Sequence, residues 1–304
     1  MPDENDISWG LWSRFEFIEW RAYWEDRLNR GDLETEFEIS TPQASVDLRS
    51  YREHAPGNIE YDPADRTYYV TPNFRPRFLR LSPERFLLQL QSVKTGSLDI
   101  RETWFSEIPP VDVVPQLTRG VHPFVLKAVL NAIRMKGEME IYYQSLTKAR
   151  LRKVCPHSLA YDGHRWHMRA WAPERAEFRD YVLSRILSFA EPKPSESSPP
   201  EDMEWDTKID LILTAHPGLN EEQRAAIEHD FQMEDGRKIV SLRLALAFYF
   251  VRRHNLDVRD GSLLPERLQL YLQNYDHYEE TRAKVREEAQ SLGKEWQTSG
   301  LTPA

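Results

Sequence analysis

The stretch RWHMRAW, Arg165 to Trp171, decides how the middle of the chain is read. As a strand it places His167, Arg169 and Trp171 on one side and Trp166, Met168 and Ala170 on the other, because successive side chains alternate across a sheet. Three further runs of strand character surround it: EMEIYYQS, RLRKVCPHSLAY and FRDYVLSRI. Asp162 and Gly163 mark a tight hairpin between the second and third of the four. An apolar helix from about Pro123 to Lys136, ended by Gly137, precedes them. The expected module is an antiparallel meander with one face on that helix and the other open to a ligand.

Charge gives that open face a meaning. The 304 residues carry 40 basic and 49 acidic side chains, a net charge of -9, which opposes wholesale attraction to a nucleic-acid backbone. Between Tyr143 and Arg185, however, nine basic residues face four acidic ones, with three histidines added. Alternation also groups Arg179, Tyr181 and Arg185 on one side of the last strand. Guanidinium forks beside aromatic faces suit phosphates and unstacked bases together. A solvated face of long arginine stems is the plain alternative.

Other chemistries find little support. One cysteine, Cys155, excludes an internal disulfide and a multi-cysteine zinc site, which favours a reducing cytoplasm. No run reaches the ~20 apolar residues needed to cross a bilayer, so no membrane role is expected, and the acidic start MPDENDIS does not resemble a signal peptide. His164 and His167 point to opposite strand faces without a completing ligand set, so no metal or other cofactor is expected. No nucleophile elbow or phosphate-binding glycine loop occurs, and the chain is read as a non-enzyme.

Outward from the centre, the N-terminal segment reads as a helix over about Ser13 to Asn29, a short helix at LETEF, and a third helix in ISTPQASVDLRSY. Ser40 or Thr41 caps the third and Pro42 occupies its first turn. NIEYDPADRTYYV then reads as a hairpin with a Pro-Asp turn. That order describes a winged helix-turn-helix, in which the third helix enters the major groove and the hairpin reaches the backbone. Thr41, Gln43, Ala44, Ser45 and Arg49 are the expected groove residues, with Arg52 and the wing's Arg66 as phosphate contacts. SPERFLLQLQSV is a connecting helix opened by Ser82 and Pro83.

Beyond the sheet, EPKPSESSPPEDME reads as a linker. A small α/β sandwich follows: strand TKIDLILTA, helix NEEQRAAIEHDF capped by Asn220, strand KIVSLRLAL running into helix LAFYFVRRHN, and a charged helical tail from PERLQLYLQNY to KVREEAQSLGKEW. The expected domains are a winged helix over 1-80, a connector over 81-119, the sheet module over 120-190, a linker over 191-205 and the last module over 206-304.

IYYQS, VCPHSLAYDGHRWHMRAW and FRDYVLSRI in this order resemble a WYL domain. The N-terminal RFEFIEWRAYWEDRLNRGDLETEFEIS and STPQASVDL, with the C-terminal module, extend the resemblance over nearly the whole chain, to the WYL transcription regulators of the BrxR and CapW type attached to anti-phage operons. In place of the namesake triplet this chain has Trp166, His167 and Met168. The resemblance implies an α+β multidomain protein: winged helix, Sm-like small β-barrel that senses a nucleic-acid or nucleotide effector, and a C-terminal WCX-like extension that supports homodimerisation. Carried onto matching positions, the effector pocket comprises Tyr143, Gln144, Ser145, His157, His167, Arg169, Arg179 and Arg185.

The resulting expectation is a dimeric repressor of a phage-defence operon that binds a palindromic double-stranded operator. A sequence-blind RNA or single-stranded DNA binder, a nuclease and a scaffold for protein partners are the alternatives. The sensing part depends on guanidinium groups from separate strands converging on one open, anion-receptive hollow.

Overall fold

The computed structural model describes residues 7–115, 117, 119–195 and 198–299, and the chain forms two compact units, 1–117 and 118–304. In the first, α1 (Trp9–Glu25) leads through β1 (Arg27–Leu28) to α2 (Arg30–Phe37) and α3 (Thr41–His54). A hairpin of β2 (Ile59–Asp62) and β3 (Thr67–Val70) follows, and β1 joins it in the order β1-β3-β2. α4 (Pro83–Lys94) completes the unit's helices.

Capping sets the helix starts. Ser40 accepts the Gln43 N–H and Pro42 fills the first turn of α3, as its sequence indicates. Asn29 and Asp32 cap α2 reciprocally. α1 differs from its expected span: it begins at Trp9 and ends before Asp26, which takes a left-handed φ of 61°. Leu28, at helical spacing from α1, instead pairs with Tyr68 in β1, because tertiary pairing overrides periodicity there. Phe15, Ile18, Leu33, Ala44, Leu48 and Tyr51 form the core that all three helices share.

A buried carboxylate ties the segment after the wing to this core. Glu19 is 0% exposed and accepts the backbone N–H groups of Arg77 (2.8 Å), Phe78 (2.8 Å) and Leu79 (2.7 Å). The Tyr51 hydroxyl donates to the same carboxylate at 3.3 Å and accepts from Asn58 Nδ2 at 3.0 Å. Burial raises the Glu19 pKa, against the pull of those N–H donors.

The second unit opens with α5 (Pro123–Arg134), which buries Val125, Ala128, Val129 and Ala132 against the sheet. Its end is marked by Lys136 with φ 49°, while Gly137 already belongs to the next strand, so the expected glycine stop lies one residue earlier and is not a glycine. The strands are β4 (Gly137–Gln144), β5 (Ala149–Tyr161), β6 (Trp166–Ala172), β7 (Glu177–Val182) and β8 (Ile186–Phe189). They run β7-β6-β5-β4-β8, an open path whose two ends, β7 and β8, are consecutive in the chain through the 3-10 turn Leu183–Arg185. The expected linker is partly structured: β9 (Lys193–Pro194) pairs with β4.

After α6 (Met203–Asp206) come β10 (Lys208–Ala215), α7 (Glu221–Asp230), β11 (Lys238–Arg243) and α8 (Leu244–Arg253). α9 (Pro265–Leu268), β12 (Leu270–Leu272) and α10 (Tyr275–Ser299) end the described chain. The sheet order is β11-β10-β12. PERLQLYLQNY is therefore not one helix: Gln269 turns with φ 60°, and Leu270 and Leu272 bury themselves beside β10. Gly293 lets α10 approach the sheet module, since a Cβ there would fall on the Ala176 carbonyl.

Glu19→Ala leaves the buried N–H groups of Phe78 and Leu79 and the partly buried one of Arg77 without this acceptor, and is expected to lower the unfolding free energy by about 3 kcal/mol or more. Urea denaturation of the full chain checks this, and an unchanged midpoint contradicts it. Gly293→Ala is expected to lower the thermal midpoint of the second unit in calorimetry, and an unaltered transition contradicts the close approach.

Candidate functional site

The outer surface of α3 is built by what its inner surface buries. Ala44, Asp47, Leu48 and Tyr51 face inward, which leaves Thr41, Gln43, Val46, Arg49 and Arg52 exposed. Ala44 is 0% exposed and belongs to the core, so it is removed from the groove residues: the helix spends that position on packing against its neighbours. Gln43 donates to Asp47 at 2.8 Å, and Asp47 holds Arg14 at 2.6 Å, so the amide is positioned from the interior outward. Ser45 is half-buried; its Oγ donates to the Thr41 carbonyl and accepts from Arg30 Nη1 at 3.2 Å.

Arg49 and Arg52 enter no ion pair among the described residues and lie exposed near one another on the helix. The wing presents Arg66 at its turn with φ 61°. Its neighbours Asp62 and Asp65 accept the Ala64 and Thr67 N–H groups, which commits the two carboxylates to the turn. Val46, which apolar spacing groups with Ala44, Leu48 and Tyr51, is instead 51% exposed, and Arg30 is a further exposed residue beside α3.

In the second unit, β6 alternates as its sequence requires. Met168 and Ala170 join α5 in the core, while His167, Arg169 and Trp171 occupy the opposite face. That face is not open. α6, α8 and α10 cover it, and the three side chains are 2%, 3% and 1% exposed. Arg169 forks onto Asp202 through Nε (2.7 Å) and Nη2 (2.9 Å), and Nη2 also donates to Glu204 at 2.9 Å. Asp180 on β7 lies 3.5 Å from Nη1. Burial works against the Arg169 charge, but hydrogen bonds to Asp202 and the fields of Asp180 and Asp202 outweigh it and raise its pKa. Burial likewise pushes Asp202 up, and the bonds from Arg169 and His157 reverse this, leaving its pKa lowered to about 2.

The expected single hollow is thus divided. His157 hydrogen bonds with Asp202 at 2.9 Å through Nε2 and with Ser158 at 2.9 Å through Nδ1. His167 pairs with Asp162 at 2.8 Å and stacks obliquely 5.0 Å from Tyr249, whose hydroxyl donates to Asp180 at 2.8 Å. Gln144 donates to the Ser145 carbonyl, and the Ser145 hydroxyl accepts the Thr147 and Lys148 N–H groups; both side chains build the β4–β5 turn. Arg185 is half-buried in the 3-10 turn.

Tyr143 and Arg179 belong to a different cluster. Tyr143 meets Tyr181 edge-on at 5.1 Å and accepts the Val182 N–H at 3.2 Å. Burial raises the Tyr181 phenol, and Arg179, Arg152 and Arg175 are the cations whose fields oppose it, which groups three guanidiniums near that ring. Arg150 lies across the ladder from Tyr143. Among the described residues, Glu174, 3.7 Å from Arg152, and Glu177, 3.1 Å from Arg179 and 3.8 Å from Arg175, offset them. Arg150, Arg152 and Arg175 belong to the charge island of the sequence but not to the pocket that the resemblance implies. No group of three metal-ligating side chains occurs among the described residues.

Comparison with known proteins matches this anatomy segment by segment. Residues 10–92 match the family model of the BrxR transcriptional regulator winged helix-turn-helix domain, 125–191 that of the WYL domain, and 208–278 that of the BrxR C-terminal dimerization domain. Curated relatives named DNA-binding transcriptional repressor CapW include one from Escherichia coli (strain KTE188), 40% identical over 270 residues covering 88% of this chain and 90% of the relative. Those from Pseudomonas aeruginosa (38% identical, with the same coverages) and Stenotrophomonas maltophilia (33% identical, covering 95% of this chain and 96% of the relative) are similar. With three modules in the matching order and such identity along the chain, this protein belongs to the CapW family of BrxR-type winged-helix WYL proteins.

Proposed function

We propose that this chain is a homodimeric, sequence-specific transcriptional repressor of the cytoplasm that reads a palindromic operator with α3 and answers to a nucleic-acid or nucleotide effector on its WYL module. The observation that carries the reading is the outer face of α3. Thr41, Gln43, Val46, Arg49 and Arg52 stand exposed on a helix whose inner face is fully packed and whose start is capped. Such a helix offers hydrogen-bonding, apolar and cationic groups to a groove without loosening its core. The relatives' name supports repression, and the match of 208–278 to a dimerization domain supports a two-fold protein on a two-fold site. By the family resemblance, the controlled genes form a phage-defence operon.

For the effector, Arg150, Arg175 and Arg179 stand exposed on one side of the sheet, and Arg152, largely buried, adds its charge beneath them beside the buried rings of Tyr143 and Tyr181. Four guanidiniums against two carboxylates leave a local surplus suited to a phosphate-bearing ligand. An Sm-like closure of the sheet, with β7 and β8 drawn together by the 3-10 turn, would set these strands around one mouth. Effector control requires unequal affinity for two states of the dimer.

Footprinting of DNA upstream of the gene is expected to reveal two protected half-sites about 34 Å apart, or a multiple of that. Length-dependent, sequence-blind retention would instead indicate a single-strand or RNA binder. Arg49→Ala is expected to cost about 1–3 kcal/mol of operator affinity and relax specificity, whereas Arg52→Ala reduces the salt slope by about 1. In fluorescence anisotropy with labelled oligothymidylate, Arg152→Ala with Arg179→Ala is expected to lower the salt slope by about 1.4, as removal of two phosphate contacts from a single strand implies. An unchanged slope contradicts the assignment of the basic cluster.

A further inference from the structure

Asp202 and Glu204 sit on Arg169 as the oxygens of a phosphodiester would: two parallel N–H donors on one carboxylate and a third contact beside it. Both belong to the segment that carries α6, and α6 is fixed to the C-terminal module. Met203 packs on that module's core, and Arg243 donates to the Trp205 carbonyl at 2.5 Å. The covering of the sheet is therefore an ionic contact between two modules of one unit.

Two features leave each side a partner when this contact opens, and a third offers a ligand an unused donor. Asp180 lies on β7, within the sheet, so Arg169 keeps a carboxylate neighbour when Asp202 and Glu204 leave. Glu204 is shared with Arg286 on α10 at 3.1 Å, so it retains a partner on its own side. Trp171 points an indole N–H into a 1% exposed environment without an acceptor, and it lines a cavity of about 320 Å³ in which Arg169 and Arg286 face Glu177 of the sheet module and Glu201, Asp202 and Glu204 of the covering segment. A buried donor without an acceptor is costly in a native protein and is the position at which a ligand oxygen gains most. A second cavity, about 450 Å³, is walled by His157, Phe178 and Trp205, and Asp202 borders both.

We infer that the covered face around Arg169 and Trp171 is a second anion site, that its resting occupant is the C-terminal module's own Asp202 and Glu204, and that a phosphodiester ligand takes it by displacing that module from the sheet. This rests on the reading that the WYL module binds a nucleic-acid effector. The exposed arginine cluster makes the first contact. The covered site converts that contact into a change of module arrangement, because ligand and C-terminal module compete for one guanidinium. Such competition gives the ligand the differential affinity that a population shift demands. The module displaced is the one matched to a dimerization domain, so release at Arg169 reaches the two-fold arrangement of the protein.

The test uses the full chain, wild type and Asp202→Asn with Glu204→Gln, titrated with labelled oligothymidylate. Neutral isosteres keep the shape and remove the competing charge, so the double variant is expected to bind about tenfold tighter, as a larger competent fraction implies. Adding Arg169→Ala to that background is expected to abolish the gain. Hydroxyl-radical footprinting of the wild-type protein reads the displacement without any substitution: oxidation of Trp296, which packs on Trp171 from the C-terminal module, rises on saturation with oligothymidylate. Thymidine monophosphate and inorganic phosphate, run alongside, separate a nucleic-acid strand from a free phosphate as the displacing species. Equal affinities of wild type and double variant, with Trp296 no more oxidised in the saturated wild type than in the free protein, overturn the second site and leave the exposed cluster as the effector site. Failure of both proteins to bind oligothymidylate, thymidine monophosphate or phosphate overturns the effector reading and the second site together.

Discussion

The arrangement of the second unit depends on one buried guanidinium. Arg169 rises from the centre of a sheet whose other face is already occupied by α5, so its charge must be met on the side that remains. Taking a guanidinium out of water is tolerable only with close, well-directed anions, and Asp202 supplies them in a bidentate fork at 2.7 and 2.9 Å. The acidic stretch after the Pro-rich tract is thereby bound to lie over the sheet. α6 then follows, and with it the position of α8 and α10, where Tyr249 meets His167 and Trp296 meets Trp171 at 5.2 Å.

The first unit is organised by the opposite charge. Glu19 gathers three consecutive N–H groups and a phenol in the interior of the helical core, so the chain beyond the wing returns to the helices rather than drifting away. α3 gains a rigid seat from this. Tyr51, on its inner face, is part of the same network, and Asp47 fixes both Arg14 and the amide of Gln43. A helix held in this way presents its outer residues at defined positions, which is what reading base edges requires.

Much of this was legible because local signals and burial agree. Ser40 and Pro42 announced α3, Ser82 and Pro83 announced α4, and Asn220 announced α7. Period-two alternation separated Met168 and Ala170 from His167 and Arg169 correctly. What lies over the second group was not legible: Asp202 and Glu204 are 33 and 35 residues further on, beyond a tract whose composition says linker. Ala44 showed the same limit on a smaller scale, since a small apolar residue in a recognition helix serves the core or a thymine methyl equally well until its neighbours are known. Leu28 and the PERLQLYLQNY segment were drawn into strands by pairing partners distant in sequence.

In the proposed account, two basic regions on one sheet, one exposed and one closed by the protein's own acids, make effector binding and module arrangement a single equilibrium. The most direct measurement is operator affinity of the full chain with and without saturating oligothymidylate, in the wild type and in Asp202→Asn with Glu204→Gln. The account predicts that the strand shifts operator affinity several-fold in the wild type and much less in the double variant, where the acidic contact is already broken. An operator affinity that the strand leaves unaltered in the wild type, although the strand is bound, would contradict it.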